Sequence, residues 1–326
     1  MDDRGLEVAS DKLVGLPEVR AAARRVSGTA VRTPLLTSPW TPYLLLKPES
    51  LQPTGSFKLR GATHALAQLS EARRAAGVVT HSSGNHGRAL AYAARAAGVR
   101  CTVVMPQEAP AHKIEAVRAL GAEVVLVPAV EREARAHALV AEKGMALVPP
   151  YDHPDVIAGQ GTIGLEIVED QPGVEVVLVP VGGGGLASGV AAAVTALRPR
   201  AQVIGVEPEL AADARESLNA GALRPWPPEQ TYRTVADGLR TALSELTLAH
   251  LRARLAGIVT VSEQEILDAA GRLLNDARLV VEPSGAVATA AYLSHRNELP
   301  SGRTVAVVSG GNIDPALLRQ LAGAGA

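Results

Sequence analysis

The sequence predicts an α/β protein built on parallel sheets, and two observations carry that prediction. Short β-branched runs alternate with Ala- and Leu-rich helical stretches almost to the end of the chain, which is the pattern right-handed β-α-β crossovers leave. Polar or glycine-rich runs also fall where several of those strands stop, and parallel α/β sheets hold ligands beyond the carboxyl ends of their strands. In order, strands are expected at 78–81, 101–105, 123–127 and 146–148, with helices over 84–97, near 112–120 and between the last two strands. The pattern resumes with a helix over 154–169, a strand at 174–181, a helix after Gly185 and a strand at 202–207. Helices over 263–277 and after Pro283 and a strand at 304–308 close it, while Pro225-Trp226-Pro227-Pro228 reads as a surface loop.

Composition narrows the class. The 326 residues are 47% hydrophobic and 20% charged, as in a globular enzyme large enough for one or two domains. A net charge of −1 without a basic run gives no footprint for nucleic acid. The single Cys101 excludes an intrachain disulfide framework and a cysteine-rich zinc site. Met1-Asp2-Asp3-Arg4 opens on acidic residues with no apolar core behind them, so the expected location is the cytoplasm. The stretch 176–197 is uncharged and long enough to span a bilayer. It contains Pro180 and four consecutive glycines, however, so a buried strand, a loop and a packed helix account for it better than a membrane span.

Against this background Lys58 stands out. Of 32 basic residues only five are lysines, and Lys58 follows Phe57, the one phenylalanine of the chain. A primary amine can form a Schiff base or deprotonate near neutral pH, which a guanidinium cannot. Ser82-Ser83-Gly84-Asn85-His86-Gly87 follows one strand and opens a helix, where backbone amides, hydroxyls and an amide side chain suit a carboxylate. Gly182–Gly185 lies between a strand and a helix, where bare backbone and the helix dipole suit a phosphate. Read with Ala187, and with Glu207 ending the next strand, the same unit also fits a dinucleotide fingerprint. Ser309-Gly310-Gly311-Asn312 follows the last strand. A phosphate loop, an isolated amine beside an aromatic ring and a strand-end serine together suit pyridoxal 5′-phosphate, which needs a phosphate cradle, an amine for its aldehyde and a partner for its ring nitrogen. A nicotinamide dinucleotide would leave Lys58 unused.

These segments, with Ser56-Phe57-Lys58-Leu59-Arg60-Gly61-Ala62, resemble in order and in kind the fold-type II (tryptophan synthase β-like) pyridoxal-phosphate enzymes, in particular the serine racemase and serine/threonine dehydratase group. The resemblance runs from about Thr33 to Asp314. It implies two parallel-sheet α/β domains with the cofactor between them, a small one over 75–152 inserted into a large one made of 1–74 and 153–326, and a homodimer. Carried over by position, Lys58 bears the cofactor aldehyde, Phe57 packs on the ring and Asn85 bonds the ring oxygen. Gly182, Gly183, Gly184, Gly185 and Leu186 hold the phosphate, and Ser309 faces the pyridine nitrogen. Ser82, Ser83, Gly84, Asn85 and His86 would receive the substrate.

The expected reaction is loss of water from L-serine or L-threonine, giving ammonia and a 2-oxo acid. Ser83 matches a hydroxyl that serine racemases place opposite the lysine, which makes racemisation the near alternative. Dehydration of L-threo-3-hydroxyaspartate is a third, with Arg240 a candidate for the distal carboxylate, although a plain surface arginine is the favoured reading of that position. Arg88 stands where the animal racemases have glutamine near a nucleotide effector site, and Ala242 replaces a serine beside the racemase active site. The chain stops soon after Ser309, so the C-terminal regulatory domain of long threonine dehydratases is not expected. Glu207 and Asp213, with the Ala211 carbonyl between them, offer three oxygens to Mg²⁺, Mn²⁺ or Ca²⁺, and they match the racemases' cation site. A helix cap would use the same two acids without a metal.

Overall fold

The computed structural model describes residues 13–82 and 84–323; Met1–Arg4 and Ser83, both used above, lie outside them. Ten strands are present among these residues. Those of the larger sheet are β1 (Leu36–Thr37), β2 (Leu44–Pro48), β7 (Val176–Pro180), β8 (Gln202–Pro208), β9 (Gly257–Val261) and β10 (Thr304–Val308). The smaller sheet holds β3 (Val78–His81), β4 (Cys101–Pro106), β5 (Glu123–Val127) and β6 (Ala146–Leu147). The six-stranded sheet runs β1-β2-β10-β7-β8-β9 and the four-stranded sheet β5-β4-β3-β6. Every neighbouring pair is parallel except β1 with β2.

Period-two alternation explains why the larger sheet is apolar on both faces. On β7, Val176 and Leu178 join one buried cluster while Val177 and Val179 join the opposite one, and on β10 Ala306 and Val308 part from Val305 and Val307 in the same way. Helices must therefore cover both sides. Each fully buried Val or Leu contributes about 1.5–3 kcal/mol, so these inner strands anchor the architecture. The uncharged stretch 176–197 resolves into β7, a loop and the helix Gly185–Leu197, and no helix among the described residues is long and apolar enough to cross a membrane.

Most expected elements appear, with ends displaced by a residue or two. β1, β2 and β9 were not anticipated. β2 escapes notice because it carries Lys47 at a position with no solvent exposure. The charge is tolerated there because Lys47 Nζ donates to Glu166 Oε2 and to the Thr33 carbonyl, both at 2.6 Å.

Candidate active site

Lys58 opens the helix Lys58–Gln68. Its placement is set from the sheet, since the Phe57 N–H donates to the Ser309 carbonyl at 3.1 Å and Ser56 bridges to Gly310. β10 and β7 are adjacent, so Ser309 and Gly182 leave the carboxyl edge of the larger sheet side by side. The end of β3 brings Ser82, Gly84, Asn85 and His86 from the smaller sheet to the same place. All of these line one cavity of about 390 Å³, together with Phe57, Gly183, Gly184, Gly185 and Leu186. That volume lies within the range of small-molecule and cofactor sites.

The amine of Lys58 is packed on most sides, and its remaining exposure opens into the cavity. It donates to the Pro150 carbonyl at 2.7 Å and stands 5.0 Å from the Phe57 ring centroid, with no carboxylate against it. Burial alone pulls its pKa down to about 8, because an ammonium in an apolar setting loses its hydration. His86 Nε2 lies 3.0 Å from the Val148 carbonyl, so that nitrogen carries the ring proton, and among the described residues Nδ1 is left buried without a partner. Burial and the nearby Lys58 push His86 down to about 3, so the ring is neutral.

The glycine loop meets two demands. Gly184 has φ +83°, in the left-handed region where a side chain strains the backbone. A Cβ at Gly183 would lie 2.6 Å from the Tyr151 ring, and one at Gly185 would lie 2.9 Å from Tyr151 Cβ. Packing against Tyr151 thus requires bare backbone as much as a phosphate would. The first-turn amides of Gly185–Leu197 have no helical carbonyl to bond, and Gly182 to Leu186 present this end of the helix to the cavity. Ser309 is 4% exposed, and its hydroxyl makes only a long 3.4 Å contact to the Ser284 carbonyl.

Asn85 is more engaged than the sequence suggested: Nδ2 donates to Glu282 Oε1 at 2.6 Å and Oδ1 accepts from Asn312 Nδ2 at 2.6 Å. Burial, then Asp237, raises Glu282 to about 7. Arg88 donates to Asn312 Oδ1 at 2.7 Å, and Lys113 pairs with Asp237 at 2.9 Å across the cavity mouth. Glu282, Ser284, Pro150 and Tyr151 line the cavity without having been singled out from the sequence. Glu282-Pro283-Ser284 reads locally as the start of a helix, and only tertiary contact reveals its second use.

Two residues offered for ligands lie elsewhere. Arg240 does not line the cavity; its guanidinium lies 5.1 Å from the Tyr232 ring centroid and donates to the Thr234 carbonyl. Arg132, on the smaller unit, is the arginine at the cavity wall. Glu207 is 1% exposed and away from the cavity, and it accepts from the Ala214 and Arg215 amides at 3.0 and 2.7 Å. It therefore caps the helix Asp213–Ala220, which takes from the dinucleotide alternative the acid it needed. Asp213, 3% exposed, is near enough to push the Glu207 carboxyl further upward after burial has raised it, and burial raises Asp213 itself to about 6. Among the described residues no group of three or more His, Cys, Asp and Glu forms a metal cluster.

A buried amine without an acid partner, an anion-binding helix start and a neutral hydroxyl at the next strand end define a site of the kind that binds pyridoxal phosphate, on a fold-type II scaffold. The family described as pyridoxal-phosphate dependent enzyme matches residues 26–310, and the chain belongs to it. It is 39% identical to the L-threo-3-hydroxyaspartate ammonia-lyase of Saccharomyces cerevisiae, over 91% of this chain and 93% of that one. Among solved structures it is similar to the threonine deaminase of T.th., with a TM-score of 0.87, 47% identity and coverage of 92% and 99%. Maize serine racemase superimposes with a TM-score of 0.90 at 35% identity, covering 95% and 97%.

Proposed function

We infer that this protein is a pyridoxal-phosphate-dependent ammonia-lyase that removes water from L-serine or L-threonine. The observation that carries the reading is Lys58: an amine packed on most sides, with no carboxylate against it among the described residues, in the wall of the cavity that the glycine loop and Ser309 also line. In this reading residues 75–152 form the small domain and the rest the large one, with the site between them. Bound there, the cofactor supplies an aldehyde for the substrate amine and a ring that withdraws the electron pair left at Cα. Gly182, Gly183, Gly184, Gly185 and Leu186 hold its phosphate, Ser309 meets the ring nitrogen and Phe57 packs on the ring.

The amides of Gly84 to His86 and the Ser82 hydroxyl take the substrate carboxylate and set the Cα–H bond across the ring. Lys58, neutral above about pH 8, takes the Cα proton. The Cβ–O bond then breaks and the hydroxyl leaves as water, taking the proton that Lys58 removed from Cα. The released enamine takes up water to give the 2-oxo acid and ammonia, so no oxidant is needed.

Hydroxyaspartate dehydration is the second reading, favoured by Arg132 at the cavity wall, where a cation suits a second carboxylate. The deciding experiment incubates the enzyme with L-serine, L-threonine and L-threo-3-hydroxyaspartate, measuring 2-oxo acid and amino-acid enantiomers together. Arg132→Ala should depress turnover of hydroxyaspartate selectively. Ser83→Ala should remove D-serine formation while 2-oxo acid production survives; a wild type that makes no D-serine ends the racemase alternative.

A divalent cation at Glu207, Asp213 and the Ala211 carbonyl completes the proposal. The fit rests on two carboxylates buried together, whose mutual repulsion a cation would relieve. Such an ion would order the start of the helix Asp213–Ala220, away from the substrate.

A further inference from the structure

We propose that Arg60 is the positioning residue for Lys58: through Glu49 and Glu166 it fixes the first turn of the helix that presents the amine. Arg60 lies two residues beyond Lys58 and is fully buried. Its guanidinium pairs through two N–H groups with Glu49, both at 2.8 Å, and through two with Glu166, at 2.6 and 2.9 Å. Thr162 Oγ1 accepts the fifth N–H at 3.0 Å, and the Val31 carbonyl shares the Nη2 hydrogens with the carboxylates at 3.1 Å. Glu49 follows β2 and Glu166 belongs to the helix Pro154–Asp170, so a rigid fork ties the Lys58 helix to two elements of the larger unit. The approach is close, since a Cβ at Gly159 would lie 2.6 Å from Gly61 Cα.

Buried ion pairs add little net stability compared with apolar groups of the same shape, so the cluster's distinctive contribution is geometry. With Lys47 included it contains two cations and two carboxylates and is neutral. It therefore fixes where Lys58 stands while leaving the amine's proton affinity alone. The opposite flank of the same turn is held by the contacts of Phe57 and Ser56 to Ser309 and Gly310, just past the end of β10. Lys58 is thus located from both sides, and the Arg60 side is the one made of side chains.

The proposal rests on the reading that Lys58 captures the cofactor aldehyde, and its test separates the two. Full-chain protein stripped of cofactor is mixed with pyridoxal phosphate at a series of pH values. The Lys58–cofactor bond is trapped with borohydride and the Lys58 peptide counted by mass spectrometry. Arg60→Lys should trap about tenfold to a hundredfold more slowly than wild type, the range a misplacement near 1 Å produces, with an unchanged pH midpoint. Arg60→Met with Glu49→Gln removes one charge of each sign; it should recover most of the melting temperature lost by Arg60→Met alone and still trap slowly. Recovery of both together would reduce Arg60 to a structural role and overturn the proposal. So would an Arg60→Lys variant that traps at the wild-type rate, a result that decides the matter even if the double variant fails to fold. Wild type that traps no cofactor on Lys58, matching Lys58→Ala, would remove the reading itself and the proposal with it.

Discussion

Among the described residues two lysines, Lys47 and Lys58, are drawn away from water, and their surroundings treat them in opposite ways. Lys47 sits in the middle of β2 with the Glu166 carboxylate at 2.6 Å and Glu49 and Arg60 close by. Lys58 begins a helix at the edge of the cavity with only a backbone carbonyl against it. Burial lowers the proton affinity of both, but at Lys47 two carboxylates pull it back, while at Lys58 nothing does. An enclosed lysine with an acid partner stays an ammonium and serves the fold. One without a partner is poised to be a nucleophile and a base.

The contrast can be broken at its strongest point first. Lys58→Ala should lower turnover by about 10⁴-fold or more and remove the visible absorbance of the bound cofactor; an active, coloured variant would show that the amine lies elsewhere. On the other side, Glu166→Gln strips Lys47 and Arg60 of a shared partner. Leaving a buried charge unpaired costs about 3–5 kcal/mol, measurable by denaturant unfolding, with the pH dependence of Lys58 trapping unchanged.

The proton affinity of Lys58 gives a third comparison. Its folded pKa is lowered to about 8, so below that pH the amine is protonated and above it free. Cofactor capture should rise with pH and level off beyond about 8, being roughly a hundredfold slower at pH 6, two units below the midpoint. A flat profile, or a midpoint near the ordinary lysine value, would remove the contrast with Lys47. The smallest effect concerns the carboxylate pair. Chelation should lower melting temperature and rate together, and Mg²⁺ should restore both, with stabilisation of about 2.7 kcal/mol at a hundredfold excess over Kd. Indifference of wild type to chelator, or a Glu207→Gln variant matching wild type in both, would leave Glu207 as a helix cap.

What could be read in the sequence was whatever is local. β7, its glycines and the following helix are contiguous, so the valine-rich apolar run 176–179 and the glycines after it announce both strand and loop. Lys58 was legible because lysine is scarce in the chain. β2 was not, because Lys47 looks like a surface residue until Glu166, 119 positions later, is brought to it. The same holds for Glu282, whose partner Asn85 is 197 positions away. For Arg240 the sequence left two uses open, and nothing local shows that its guanidinium lies over Tyr232 and does not turn toward the cavity.

Tyr151 adds a constraint on how this sequence can vary. Its ring fills the space that side chains at Gly183 and Gly185 would take, and its neighbour Pro150 accepts from the Lys58 amine. A methyl group added at position 183 would push the ring aside and drag the amine's acceptor with it. Positions 151 and 183 are therefore bound to drift as a pair: alanine at 183 is compatible with this backbone only alongside a smaller residue at 151.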